Sequence, residues 1–295
     1  MSVDATGAPV AGGPLPAVRG RAVRRLLRDP AGLAGLVLVA GFTAAALLAP
    51  VLAPQDPAAV DFEQVMGRPA PSAPLGTDEL GRDQLSRVLY GLRSSLTVAA
   101  LAVLLAVVVA VPLGLLAGYY RRWVDPVVSR LTDVLLAFPF LVLAVGLAAI
   151  LGPSLLNAAI AVGVAQIPTV IRVMRAETLR LSAESFVDGA IAAGAGDAAV
   201  LARHVLPNAA NALLVQVTVG IPAAVIGEAM LSFLGLGVQP PTPSLGVMLS
   251  SAQPFFAQAP WLVVFPGLVI VAVTLAFNLL GDALRDALDP KGVRR

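Results

Sequence analysis

Six apolar runs free of Asp, Glu, Lys and Arg recur along the chain: Ala31–Ala53, Ser94–Gly118, Val134–Gly152, Leu155–Ile171, Ala209–Gly227 and Trp261–Gly281. Each is close to the roughly 20 residues that a helix needs to cross the hydrocarbon core. None shows the apolar–polar alternation of a strand, and in lipid only helices or closed barrels satisfy every backbone group. The pattern therefore predicts an all-α integral membrane protein with six spans. A basic stretch ahead of the first run also resembles a secretory signal, but the run is too long for the apolar core of one.

The polar intervals define the remaining organisation. Residues 1–30 form a tail with a basic cluster of Arg19, Arg21, Arg24, Arg25 and Arg28, and residues 31–53 are the first span. Residues 54–93 form an outer segment punctuated by Pro54, Pro57, Pro69, Pro71 and Pro74. Its latter part, Thr77–Arg93, reads as a helix capped by Thr77, with Asp78 and Glu79 in the first turn. Residues 94–283 form the core and 284–295 a C-terminal tail. Pro112, Pro139, Pro168, Pro222 and Pro266 lie within or close to spans and favour kinks.

Composition agrees with the pattern: only 13% of the 295 residues are charged and 58% are hydrophobic, whereas soluble domains carry about 25% charged residues. The position of the charges adds an orientation. With the N-terminal tail inside, sixteen of the 20 Lys and Arg fall on inner segments. Arg68, Arg82, Arg87 and Arg93 alone fall outside. By the positive-inside rule both tails are cytoplasmic. The net charge of +2 gives no reason to expect nucleic acid. Absence of cysteine, and a single histidine (His204), exclude thiolate and His-rich metal sites. No phosphate-binding G-x-x-x-x-G-K-[ST] occurs and no catalytic motif is present, so neither ATP chemistry nor enzyme activity is expected of this chain. Its spans also lack the ionisable groups that ion-coupled carriers place in the membrane. Uphill transport would require a partner to supply the energy.

The longest polar interruption of the second half, residues 172–208, is where such a partner would dock. Structureless loops of this length are uncommon unless functional. Glu184–Gly196 reads as a short helix, marginal alone in water and in need of packing. Phe186, Val187 and Ile191 are candidate apolar anchors, Gly189 and Ala190 permit close approach, and Asp188 offers a charge. A solvated amphipathic linker is the competing reading.

Asp188-Gly189-Ala190, Gly194 and Leu206-Pro207 resemble the E-A-A-x3-G-x9-I-x-L-P motif of ABC importer permeases. Asp replaces Glu, Gly replaces Ala, and His204 stands where the motif has Ile. Three further blocks are similar to the dipeptide, oligopeptide and nickel permease family, C-type subunit. They are Pro74–Asp83, Glu228–Gly237 with Gln239–Pro243, and Phe265–Gly267 with Leu275–Asp282. The resemblance implies a type I ABC importer transmembrane domain in the bacterial cytoplasmic membrane. It further implies a heterodimer with a homologous permease, two ATPase subunits that hold ATP and Mg²⁺, and an extracytoplasmic binding protein. The chain itself would bind no cofactor or metal. Phe186 to Asp197 would be the coupling helix seated in an ATPase groove, ended or bent at Gly194. Di- or oligopeptides are the implied cargo, with nickel chelates or glutathione as alternatives. A non-transporting scaffold or channel subunit is the rival from another class.

Two charged sets remain open at this point. Glu228 is a candidate gate or substrate contact, or else a structural hydrogen-bonding group beside the turn Leu231–Gly237. Asp78, Arg82, Asp83 and Arg87 are spaced for i, i+4 pairs on one helix. They either stabilise that helix or dock the binding protein.

Overall fold

The computed structural model describes residues 24–288. Among them lie nine principal helices: α1 (Pro30–Leu47), α2 (Gln84–Tyr119), α3 (Val124–Leu136), α4 (Phe140–Leu151), α5 (Leu155–Leu181), α6 (Ser185–Ala192), α7 (Leu206–Phe233), α8 (Leu245–Ala252) and α9 (Trp261–Leu288). Arg19, Arg21, Lys291, Arg294 and Arg295, which enter the charge argument, and most of both predicted tails lie outside the described residues. Five helices are long and apolar enough to cross a membrane: α1, α2, α5, α9 and the stretch Asp197–Phe233 that contains α7. A sixth crossing is available only as the pair α3 and α4, bent by 89°.

That bend corrects the third span. Val134–Gly152 is not one straight helix: α3 ends at Leu136, and Pro139 stands as the N-cap of α4. A residue before proline is pushed out of the helical region, so the chain turns at Phe138–Pro139. The 12 residues of α4 rise only about 18 Å, well short of the ~30 Å core. In α3, Asp125, Ser129 and Asp133 share a face turned towards α5. Val127, Leu131 and Val134 on the opposite side are exposed.

The second span is longer than its apolar run. Asp83, rather than Thr77, caps α2, and its carboxylate accepts from the Ser86 N–H at 2.7 Å. Residues 77–83 cannot begin a helix because they form a turn, in which the Asp78 N–H donates to the Arg82 carbonyl at 3.0 Å. Gly81 supports that turn at a φ of 74°. At 36 residues α2 is about 54 Å long, so it crosses the bilayer and projects beyond it.

Small residues organise the core. Along α2, Ala99, Ala102, Ala106 and Ala110 are fully buried, and Gly114 and Gly118 continue the same stripe. A Cβ on Gly114 would stand 2.5 Å from Met174 Cβ, and one on Gly118 would stand 2.5 Å from Thr178 Cβ. The small-xxx-small spacing thus lets α2 and α5 lie backbone to backbone, where packing drives association in lipid.

Candidate coupling surface and transport core

Within residues 172–208 the chain folds as two turns of helix on a single anchor. After α5 ends at Leu181, α6 runs over Ser185–Ala192, shorter at both ends than the thirteen residues expected. Val187 is its one buried residue. It packs into a cluster with Met174, Leu181, Val200 and Val205. This corrects the reading of Val187 as an anchor offered to a partner: it holds α6 to its own subunit. Phe186, Asp188, Gly189 and Ile191 are exposed, Ala190 is half-buried, and a Cβ on Gly189 would meet nothing within 4 Å.

Gly194 ends the helix. It sits at a φ of 87°, the Ala195 N–H donates to the Ala190 carbonyl at 3.0 Å, and the Gly194 N–H donates to the Ile191 carbonyl at 2.9 Å. These are the two bonds of a Schellman cap, which favours glycine because a Cβ is strained at positive φ. Beyond it, Val200–Val205 form a π-helical turn that leads into α7 at Leu206 and Pro207, half-buried and exposed respectively.

Two contacts that the sequence did not disclose fix this region to the bundle. Tyr119 and Tyr120, at the C-terminal end of α2, donate to the two carboxylate oxygens of Asp197 at 3.0 and 2.7 Å. The Asp197 hydrogen bond is the main reason the Tyr120 phenol is pushed above its ordinary value. Arg175 of α5 clamps Asp125 of α3 bidentately at 2.5 and 2.7 Å. Partners about eighty and fifty residues apart carry no local signature, so no periodicity points to them.

Glu228 is fully buried on α7. It accepts from Ser95 Oγ of α2 at 2.5 Å and from Ser232 Oγ at 2.7 Å, while Ser232 Oγ accepts the Val238 N–H at 3.1 Å. Within this subunit its carboxylate joins α2 to the turn after α7.

The charges of residues 78–87 pair differently from their spacing. Asp78 bonds Arg82 Nε at 2.7 Å as expected, but Arg87 Nε reaches the same carboxylate at 3.1 Å rather than Asp83. Asp83 is occupied as the cap of α2 and also accepts from Ser86 Oγ at 2.7 Å. Arg82 also reaches Glu79 at 2.7 Å. All four predicted residues are buried in this subunit, held in a folded turn rather than displayed on one helix face. Among the described residues no group of three His, Cys, Asp or Glu is arranged to hold a metal.

A bundle of kinked, largely apolar helices with a small helix displayed at one end has the character of a membrane transport subunit. Comparison with known proteins gives the family. Residues 110–293 match the model of the binding-protein-dependent transport system inner membrane component. Residues 19–72 match the N-terminal transmembrane domain of oligopeptide transport permease C. The chain belongs to this family of binding-protein-dependent transport permeases. It is 42% identical over 270 residues to the dipeptide transport system permease protein DppC of Alkalihalophilus pseudofirmus, covering 92% of this chain and 89% of that protein. It is 41% identical over 286 residues to the glutathione transport system permease protein GsiD of Pectobacterium atrosepticum, covering 94% and 95%. The inward-facing MetNI methionine ABC transporter shares the fold, with a TM-score of 0.57 at 17% identity over 69% of this chain and 96% of that one. The protein is thus a multi-pass inner-membrane permease subunit with the ABC importer fold. Such subunits work with ATPase and binding-protein partners rather than as enzymes.

Proposed function

We propose that this chain forms one half of the translocation pathway of an ATP-driven importer of di- and oligopeptides, paired with a homologous permease. Two ATPase subunits bind ATP and Mg²⁺ and carry out hydrolysis, and an extracytoplasmic protein delivers the solute. Both tails lie in the cytoplasm. The observation that carries the reading is α6: pinned by Val187, it turns Phe186, Asp188 and Ile191 outwards as a compact surface. Closure of the ATPase pair on ATP would push that surface. The rigid joints at Asp197 and Arg175 would pass the movement to α2, α3 and α5, so that the spans rock as bodies.

Peptide as cargo is supported by the relatives whose names state dipeptide or di/tripeptide transport. Glutathione is the second reading, supported by the relatives named for it. The outer cluster contributes a stable platform; its buried side chains leave the backbone and rim residues around it as the surface for a binding protein.

Proteoliposomes holding the complete complex test both parts. Asp188→Arg is expected to lower ATP-dependent peptide uptake at least about tenfold: the family resemblance pairs Asp188 with a basic residue of the ATPase, and like charges brought together at an interface cost several kcal/mol. Normal uptake by that variant would remove α6 from the coupling role. Wild type that imports glutathione and no dipeptide would reassign the cargo.

A further inference from the structure

At mid-bundle a cavity of about 260 Å³ opens beside the α3–α4 bend, between α5 and α7. Its walls are apolar (Phe138, Phe140) apart from Gln166, Thr169 and Gln216. Gln166 is the eleventh residue after the start of α5 and Gln216 the tenth after the start of α7. At 1.5 Å per residue both lie about 15–17 Å along antiparallel helices, near the centre of the bilayer.

Gln166 is 8% exposed, and its side-chain Nε2 has no hydrogen-bond partner. A buried amide N–H left unpaired destabilises the fold, and each such group calls for an explanation. Room is also kept for its oxygen: a Cβ at position 220 would stand 2.9 Å from Gln166 Oε1, and Gly220 supplies none. Each wall carries a proline close to the cavity, with Pro139 at the bend, Pro168 two residues beyond Gln166 and Pro222 two beyond Gly220.

We infer that Gln166, with Gln216 and Thr169, is a solute-contact site that hydrogen-bonds the backbone amide of a peptide in transit. The inference rests on the peptide reading of the preceding section and names the residues that touch the cargo. A carboxamide carries a donor and an acceptor in the geometry of a peptide group: Nε2 donates to the peptide carbonyl and Oε1 accepts the peptide N–H, the bond that N-methylation removes, whatever the side chains. The phenylalanine walls accept varied side chains in the same way. A neutral site also binds without the strong attraction that a buried charge would exert, which lets the solute leave. A metal chelate would find no carboxylate or imidazole on these walls. The volume falls just under the roughly 300–1,000 Å³ of drug-sized pockets, so the partner permease would close the open side.

The test is uptake by the complete complex in proteoliposomes, using a radiolabelled dipeptide and the same dipeptide methylated on its peptide nitrogen. Affinity of the binding protein for each is measured separately, and the binding protein is identical in every arm. Wild type should prefer the unmethylated peptide. Gln166→Leu should lower its uptake about tenfold and erase the preference, the size expected for one neutral hydrogen bond in an apolar site. Gln216→Leu should weaken the same preference. Stimulation of ATPase activity by the binding protein should remain in both variants, since neither touches α6. Retained preference in Gln166→Leu would overturn the site while leaving the peptide reading intact. Loss of ATPase stimulation together with uptake would also overturn it, by making Gln166 a structural residue. Wild type that takes neither dipeptide nor glutathione would instead sink the cargo reading, and the site with it. Glutathione contains the same amide, so selective glutathione uptake with the same loss in Gln166→Leu would support the site and identify that source.

Discussion

Among the described residues Glu228 is the one fully buried carboxylate of the membrane helices, and its two hydrogen bonds explain how it is tolerated there. Two hydroxyls donate to it, and one of them also receives a backbone N–H from the following turn. Removing the acid therefore strands groups on two helices at once. Glu228→Ala is expected to lower stability by about 2 kcal/mol or more, because the Ser95 and Ser232 hydroxyls stay buried without their acceptor. Glu228→Gln keeps an acceptor and should lose clearly less. Thermal unfolding of the purified complex compares them, and equal losses in the two variants would contradict the assignment. The sequence marked Glu228 through its place at the end of the fifth apolar run. Which serines it meets depends on Ser95, 133 residues away.

At the level of elements, α6 was legible because it obeys local rules: a polar, small-residue stretch of helical composition closed by a glycine. Its packing was not legible, since Val187, Phe186 and Ile191 are equivalent in chemistry and only the position of the neighbouring cluster selects Val187 for burial. The tyrosine clamp on Asp197 is the element's second fastening. Tyr120 holds its proton as donor to Asp197, and its pKa is raised in the folded state. A raised pKa means that the contact is complete below the unfolded value of about 10 and fails only as pH rises through the folded value. Coupling between ATP hydrolysis and uptake should thus show no titration from this clamp between about pH 6 and about pH 9. Tyr120→Phe should weaken coupling equally across that range. A loss confined to the alkaline end of the wild-type profile would place the clamp's titration inside the working range, against this account.

For the whole molecule, the orientation proposed from the charge asymmetry is directly measurable, because the chain has no native cysteine. Arg68→Cys should react with a membrane-impermeant maleimide applied outside, and Arg122→Cys only after the inner face is opened; the reverse pattern would invert the topology. The sequence by itself determined how many apolar segments there are, which polar intervals gather the basic residues, and the polar stretch that carries α6. All three follow from composition over a window and from the bilayer as solvent, which acts on each segment separately. Only the tertiary structure decided that the third crossing is broken at Phe138–Pro139, that Arg87 joins Asp78 rather than Asp83, and that Gln166 is left with a free N–H in a mid-membrane cavity. Those outcomes depend on which surfaces meet. Residues far apart in the chain compete for the same partner, and spacing along a helix cannot rank competitors that arrive from another one.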